Sequence, residues 1–224
     1  MLGFLHALEV DHMLAVTSFV STRPALRTAA VFGVRWGLGH SLSVVLAGGI
    51  LLVTGLRWPS RFDEIGEAVV GLMLIGLGAW AIRASRKLHL HQPEQHGDHV
   101  HLHAHGGSVA VHEHPHHGGE ARAGHAHHHG HGITLVGMLH GLSGTSAVVA
   151  LVPVTLMPSA WLGLGYLLAF GLGVTAGMTV YAVIAAGAMK TAAERSLLWG
   201  RRITAGVGVA GIGVGLWWVV TALK

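Results

Sequence analysis

The chain has no cysteine among its 224 residues. Disulfides and thiolate ligands are excluded together, so any metal ion must be held by nitrogen and oxygen donors. Charge is nearly as scarce: Asp, Glu, Lys and Arg make up 11% of the residues, against 51% apolar residues and a mean hydropathy of +0.56. That balance excludes an ordinary soluble domain and indicates an integral membrane protein. No stretch reads as a strand, and helices satisfy their own backbone in lipid. The net charge of +4 sits in loops, a pattern of membrane topology rather than of nucleic-acid binding. The first twenty residues lack the basic flank of a secretory signal and carry internal acids instead. What the chain has in quantity is glycine, suited to close helix packing, and histidine.

Those first twenty residues, MLGFLHALEVDHMLAVTSFV, carry the most informative run. His6, Glu9, Asp11 and His12 fall within an otherwise apolar segment long enough to span a membrane. Ionisable groups are costly in lipid and tend to be kept where they line a polar pathway. On a straight helix His6, Glu9 and His12 share one face about 120° wide, with Asp11 about 100° further round. Two imidazoles with one or two carboxylates suit a divalent transition metal, since imidazole accepts Ni, Cu, Zn and Fe. A zinc helix of the HExxH type is excluded, because these histidines are six residues apart rather than four.

Hydropathy predicts six spans, at about 2–20, 29–54, 65–82, 133–157, 161–188 and 203–222. They divide the chain into a first three-helix unit (1–83), a His-rich insert (84–132) and a second three-helix unit (133–224). The insert holds 16 of the 20 histidines, including His99, His101, His103, His105, His125, His127, His128, His129 and His131. With few large apolar residues it is expected to be a disordered loop that gathers divalent ions loosely. Of the Lys and Arg residues in alternate loops, Arg23, Arg27, Arg83, Arg86, Lys87, Arg122, Lys190, Arg195, Arg201 and Arg202 fall on one side. Only Arg57, Arg61 and Lys224 fall on the other. The positive-inside rule then places the insert in the cytoplasm and both termini outside.

The two units also resemble each other. GFLHALEVDHMLAV (3–16) aligns with GMLHGLSGTSAVVA (137–150) at an offset of 134 residues, and GLGH (37–40) falls on GLGV (171–174) at the same offset. Because each unit has an odd number of spans, the second runs through the membrane in the opposite sense. This is the inverted-repeat plan of many secondary transporters, with the substrate near the midplane where the repeats meet. The expected fold is therefore all-α, six transmembrane helices in two inverted repeats, with helices one and four adjacent. The copies differ chemically: Glu9, Asp11 and His12 stand opposite Ser143, Thr145 and Ser146, while His6 stands opposite His140. His40 and Ser41, in mid-span, complete the candidate set. Gly33/Gly37, Gly173/Gly177 and Gly211/Gly215 read as packing faces, and Gly171 and Gly173 as packing or an unwound substrate site.

His6-Ala7-Leu8-Glu9-Val10-Asp11-His12 fits the pattern His-x4-Asp-His and resembles the signature of the nickel/cobalt transporter family. LGHS at 38–41 is similar to that family's second His-containing helix, and the His-rich insert is similar to the loop of the related nickel/cobalt efflux proteins. Eight-span uptake members carry the signature on their second helix; here it lies on the first. The resemblance thus implies either a six-span, efflux-like arrangement or a preceding helix outside this sequence. It also implies transport of Ni2+, with Co2+ as a second cargo, and no tightly bound cofactor.

The expected function is ion transport across the cell (inner) membrane, through His6, Glu9, Asp11, His12, His40 and His140, with direction left open. Two other functions compete. A membrane accessory protein for nickel-enzyme maturation would explain the His-rich insert but leave the intramembrane acids without a purpose. A Zn2+ transporter is compatible with the same donors. The Gly141-Leu142-Ser143-Gly144 run has the form seen in intramembrane serine proteases, but no histidine follows His140 to serve as base, so no enzyme is expected. The partners implied are the ion and the bilayer, not nucleic acid.

Overall fold

A computed structural model describes residues 1–22, 24–56, 60–87, 101–105, 108–112, 129–142 and 150–224. In chain order the helices are α1 (Leu2–His6), α2 (Val10–Thr22), α3 (Leu26–Thr54), α4 (Ser60–Lys87), α5 (His129–Gly141), α6 (Val152–Thr155), α7 (Ala160–Arg195) and α8 (Leu197–Ala222). Four of them, α3, α4, α7 and α8, are long and apolar enough to cross a bilayer, which makes this a multi-pass membrane protein. They cover the predicted second, third, fifth and sixth spans, each extended by a few residues. Along α3 the exposed face carries Leu38, Leu42, Leu46 and Ile50, while His40 and Ser43 turn inward. Apolar side chains outside and polar ones inside is the inverse of a soluble helix, and it is what lipid demands.

The first predicted span is not a continuous helix: it is broken at Ala7–Glu9. Of the fourth, α5 and the single-turn α6 are described, and residues 143–149 lie outside the described residues. Strand structure, which hydropathy gave no reason to expect, occurs in the His-rich insert. There β1 (His101–His105) pairs antiparallel with β2 (Ser108–His112), His101 opposite His112 and His105 opposite Ser108. Short stretches rich in Val and alternating His satisfy the period-2 pattern once a Gly-Gly pair separates them. Residues 84–87 of the insert end α4 and 129–132 begin α5; the rest of it lies outside the described residues.

Helix pairing follows the small residues. On α3 and α7, Gly33 meets Thr179, Gly37 meets Thr175 and Gly48 meets Leu167, so the two helices run antiparallel. The pairs Gly71–Gly215 and Gly78–Gly208 set α4 antiparallel to α8 in the same way. α1 packs on α7 and α5 on α3, both in the parallel sense: Gly3 abuts the Phe170 carbonyl, and Gly137 abuts the Trp36 carbonyl. Gly173 and Gly177 face Phe4 and Ala7, and α7 continues unbroken through Gly171 and Gly173, so these glycines serve packing. A Cβ at Gly78 would strike the Gly208 backbone, whereas one at Gly76 would meet nothing within 4 Å. Gly78→Val should therefore destabilise the bundle by about 2 kcal/mol or more, and Gly76→Val should be tolerated. Thermal unfolding in detergent, followed by size exclusion, checks the pair.

These approaches are reciprocal. Gly3 and Phe170, each moved by 134 positions toward the other half, become Gly137 and Trp36. Gly37–Thr175 becomes Gly171–Ser41, which also touch, and Gly71–Gly215 becomes Gly208–Gly78 at an offset of 137. Ser41 contacts its own counterpart: Ser41 Oγ and Thr175 Oγ1 lie 3.2 Å apart, 134 positions apart in sequence.

The halves are unequal in one respect. A cavity of about 810 Å³ opens where α3 ends and α7 begins, lined by Leu52, Asp63, Thr155, Met157 and Pro158 among others. The positions corresponding to Thr155, Pro158 and Asp63 are Ser21, Pro24 and Gly200. These line a space of only about 20 Å³ at the opposite end of α7.

Candidate metal centre

The break at Ala7–Glu9 builds the site. Leu8 and Glu9 donate backbone hydrogen bonds to Leu5 and His6, three residues back, and four-residue bonding resumes with Met13 to Glu9. His6 thereby stands in the last turn of α1, and Asp11 in the first turn of α2. His40 comes from the middle of α3, and His140 from the last turn of α5. With His12, next to Asp11 on α2, the five side chains converge, and none is more than 4% exposed.

Hydrogen bonds fix most of the rings. His6 Nδ1 donates to Glu9 Oε1 at 3.0 Å. Asp11 accepts from two histidines at once, from His12 Nδ1 at 3.1 Å and from His140 Nε2 at 2.9 Å. A carboxylate on one ring nitrogen sets the tautomer and presents the other nitrogen to an ion. His12 Nε2 and both ring nitrogens of His40 have no hydrogen-bond partner among the described residues. Buried polar atoms left this way are costly unless something else binds them.

Ligand atoms of His6, His12 and His40 lie within 4.8 Å of one another, and so do those of Asp11, His12 and His140. The first group is nearly an equilateral triangle, with ring centres 4.7 Å (His6–His12), 5.2 Å (His12–His40) and 5.3 Å (His6–His40) apart. A metal–nitrogen bond of 2.0–2.1 Å puts an ion about 3.2 Å from each ring centre, so centres should be about 4.5 Å apart at right angles and about 5.2 Å apart in a tetrahedron. The triangle matches that range. His140 does not extend it evenly, standing 4.2 Å from His12 but 6.1 Å from His40. Three imidazoles favour borderline transition metals over Mg2+ or Ca2+, which take oxygen.

Of the sequence candidates, His6, Asp11, His12, His40 and His140 are brought together. Asp11 shares no ligand group with His6; it reaches His12 and His140 instead. Glu9 lies outside both ligand groups, with its side chain 32% exposed, and holds His6. Ser41 sits at the α3–α7 crossing, its Oγ 2.6 Å from Gly37 O and 2.8 Å from Gly171 O. Ser143, Thr145, Ser146, His99, His125, His127 and His128 lie outside the described residues. His101, His103 and His105 belong to β1, and His129 and His131 to the start of α5. Helices one and four, expected to be adjacent, meet through the Asp11–His140 hydrogen bond.

Two aromatic residues were not foreseen. Trp36 lies 5.7 Å from the His140 ring, and Phe170 lies 5.5 Å from the His6 ring. They occupy corresponding positions, 134 apart, and each packs on the histidine of the other half. The signal was legible: Trp36 precedes His40 by one helical turn, and the repeat offset carries it to Phe170.

Glu9→Ala should weaken metal binding about 10- to 100-fold by releasing the His6 ring, whereas Glu9→Gln, which retains an acceptor, should weaken it less. Metal titration of the purified variants checks this. No family model matches the chain, and no solved structure matches it. Among curated proteins it is similar to the urease accessory protein UreH of Bacillus sp. (strain TB-90). The two are 29% identical over 183 residues, covering 82% of this chain and 72% of that protein.

Proposed function

We propose that this protein carries Ni2+, and Co2+ as a second cargo, across the cell membrane through the buried histidine–aspartate cluster. One observation carries the reading: four imidazoles and a carboxylate are buried among long apolar helices, with three ring nitrogens lacking a partner among the described residues. A dication in low dielectric needs both donors and negative charge, and Asp11 supplies the charge. The similarity to a protein named for service to urease, a nickel enzyme, supports nickel as the cargo.

In this reading the chain crosses the membrane six times. The segments α1–α2 and α5–α6 supply two of the crossings, and residues 1–83 and 133–224 are inverted repeats. The reciprocal glycine contacts and the Ser41–Thr175 pair support the repeats. The unequal pair of cavities, about 810 and 20 Å³ at corresponding positions, supports alternating access, one face open while the other is shut. Arg201 Nε donates to Ser85 O, and Thr204 Oγ1 lies 3.3 Å from Ser21 O. These contacts bring the basic ends of α4 and α8 together with the end of α2, in keeping with a cytoplasmic insert and outer termini.

The relative's name favours a second reading, an accessory protein that holds nickel for enzyme maturation without moving it. Nickel accumulation in a host lacking its own transporter separates the two. A change from the empty host that Asp11→Ala abolishes supports transport, and its sign gives the direction. Unchanged accumulation, with nickel bound to the isolated protein, supports the accessory role. The same assay with Zn2+ in competition tests the choice of ion, because imidazole donors accept both.

A further inference from the structure

The two ligand groups are not one site. They share a single residue, His12, and they are in different states. The group of His6, His12 and His40 has the spacing of a metal-centred triangle, with His12 Nε2 and both His40 nitrogens unpartnered among the described residues. In the group of Asp11, His12 and His140, each carboxylate oxygen accepts from one imidazole N–H. His140 is bound to Asp11, not to the triangle, and its ring centre is 6.1 Å from that of His40.

We propose that these groups are two successive stations for one ion, with His12 as the ligand held throughout the transfer. The proposal rests on the transport reading above and specifies how the ion moves within that site. The ion first loads onto the all-imidazole station, which is open in this structure. It then exchanges His6 and His40 for Asp11 and His140: the Asp11 oxygens turn from the two imidazole N–H groups to the ion, and His140 binds through Nδ1, so its Nε2 proton stays in place. His12 keeps the ion from returning to water between stations, and the carboxylate makes the second station the more negative one. The exchange moves the ion from ligands that all lie in the first half of the chain to a set that includes His140 of the second. Loading and release thus fall to different partners of His12. An ion binding all four histidines at once could not be handed on this way.

The two stations predict different losses. His140→Gln keeps an N–H donor for Asp11 but is a poor ligand. It should leave the ion on the triangle while lowering flux about 30-fold or more. His40→Ala strands no hydrogen-bond partner among the described residues, so the fold should tolerate it, yet it should empty the first station and lower flux as much. The test is anomalous scattering from Co2+ in crystals of the whole chain, wild type and both variants, together with flux in proteoliposomes. The expected result is cobalt ligated by His6, His12 and His40 in the wild type and in His140→Gln, with flux lost in the latter. One ion ligated by His40 and His140 together, or full flux in His140→Gln, overturns the relay and leaves the transport reading standing. Cobalt absent from the whole histidine cluster in a wild type that also shows no flux overturns both.

Discussion

His12→Ala should abolish nickel movement, lowering flux at least about 100-fold, while the protein still reaches the membrane. No other side chain belongs to both ligand groups. Its loss leaves two imidazoles in the first group and one imidazole with one carboxylate in the second, too few to replace the hydration of a dication. The substitution removes a ring 4.2 to 5.2 Å from three others and opens a cavity, but it leaves Asp11 its hydrogen bond from His140. Folding should survive in a bundle held by the α3–α7 and α4–α8 glycine contacts. Nickel accumulation normalised to membrane-inserted protein checks the result, and flux within threefold of wild type would contradict it.

Asp11→Ala should be the more damaging change, because it removes both function and support. Asp11 accepts from His12 and His140 in a site it exposes by only 4%. Truncation leaves two buried N–H groups without an acceptor and removes the negative charge that offsets the ion. Breaking a buried pair of this kind costs about 3 kcal/mol, so the thermal midpoint should fall along with flux. Asp11→Asn separates the two effects. The amide oxygen can still accept from one imidazole, so much of the lost stability should return. The charge does not, and nickel flux should stay at background. Unfolding temperatures of the three proteins, set beside their flux, check this. An Asn variant that transports normally would show that charge at this position is dispensable.

How far the sequence alone reaches can be seen at particular residues. The four long helices were legible because each is a continuous apolar run, and their glycine faces were legible by spacing. The five buried candidate ligands were legible because ionisable residues in lipid are rare enough to stand out. The break at Ala7–Glu9 was not, since it contains neither glycine nor proline. It is held by a local side-chain bond, His6 with Glu9, and by a long-range one, Asp11 with His140, and backbone propensity registers neither. The roles within the site were hidden for the same reason. Glu9 and Asp11 look alike in sequence, but one holds a single ring at the edge and the other clasps two rings in the interior. Trp36 and Phe170 read as ordinary core aromatics until the repeat offset and the structure place each against a histidine of the other half. The β1–β2 pairing in the insert was missed because histidine composition masked a short period-2 pattern.

The central claim is that an ion crosses the membrane through this cluster, and nickel flux into proteoliposomes tests it most directly. The whole chain is reconstituted with a nickel-sensitive dye trapped inside, alongside His12→Ala and protein-free liposomes. The account predicts saturable influx for the wild type and none above the protein-free rate for His12→Ala. Wild-type influx equal to that of protein-free liposomes, while the same protein holds nickel in solution, would contradict it and leave a binding protein in place of a transporter.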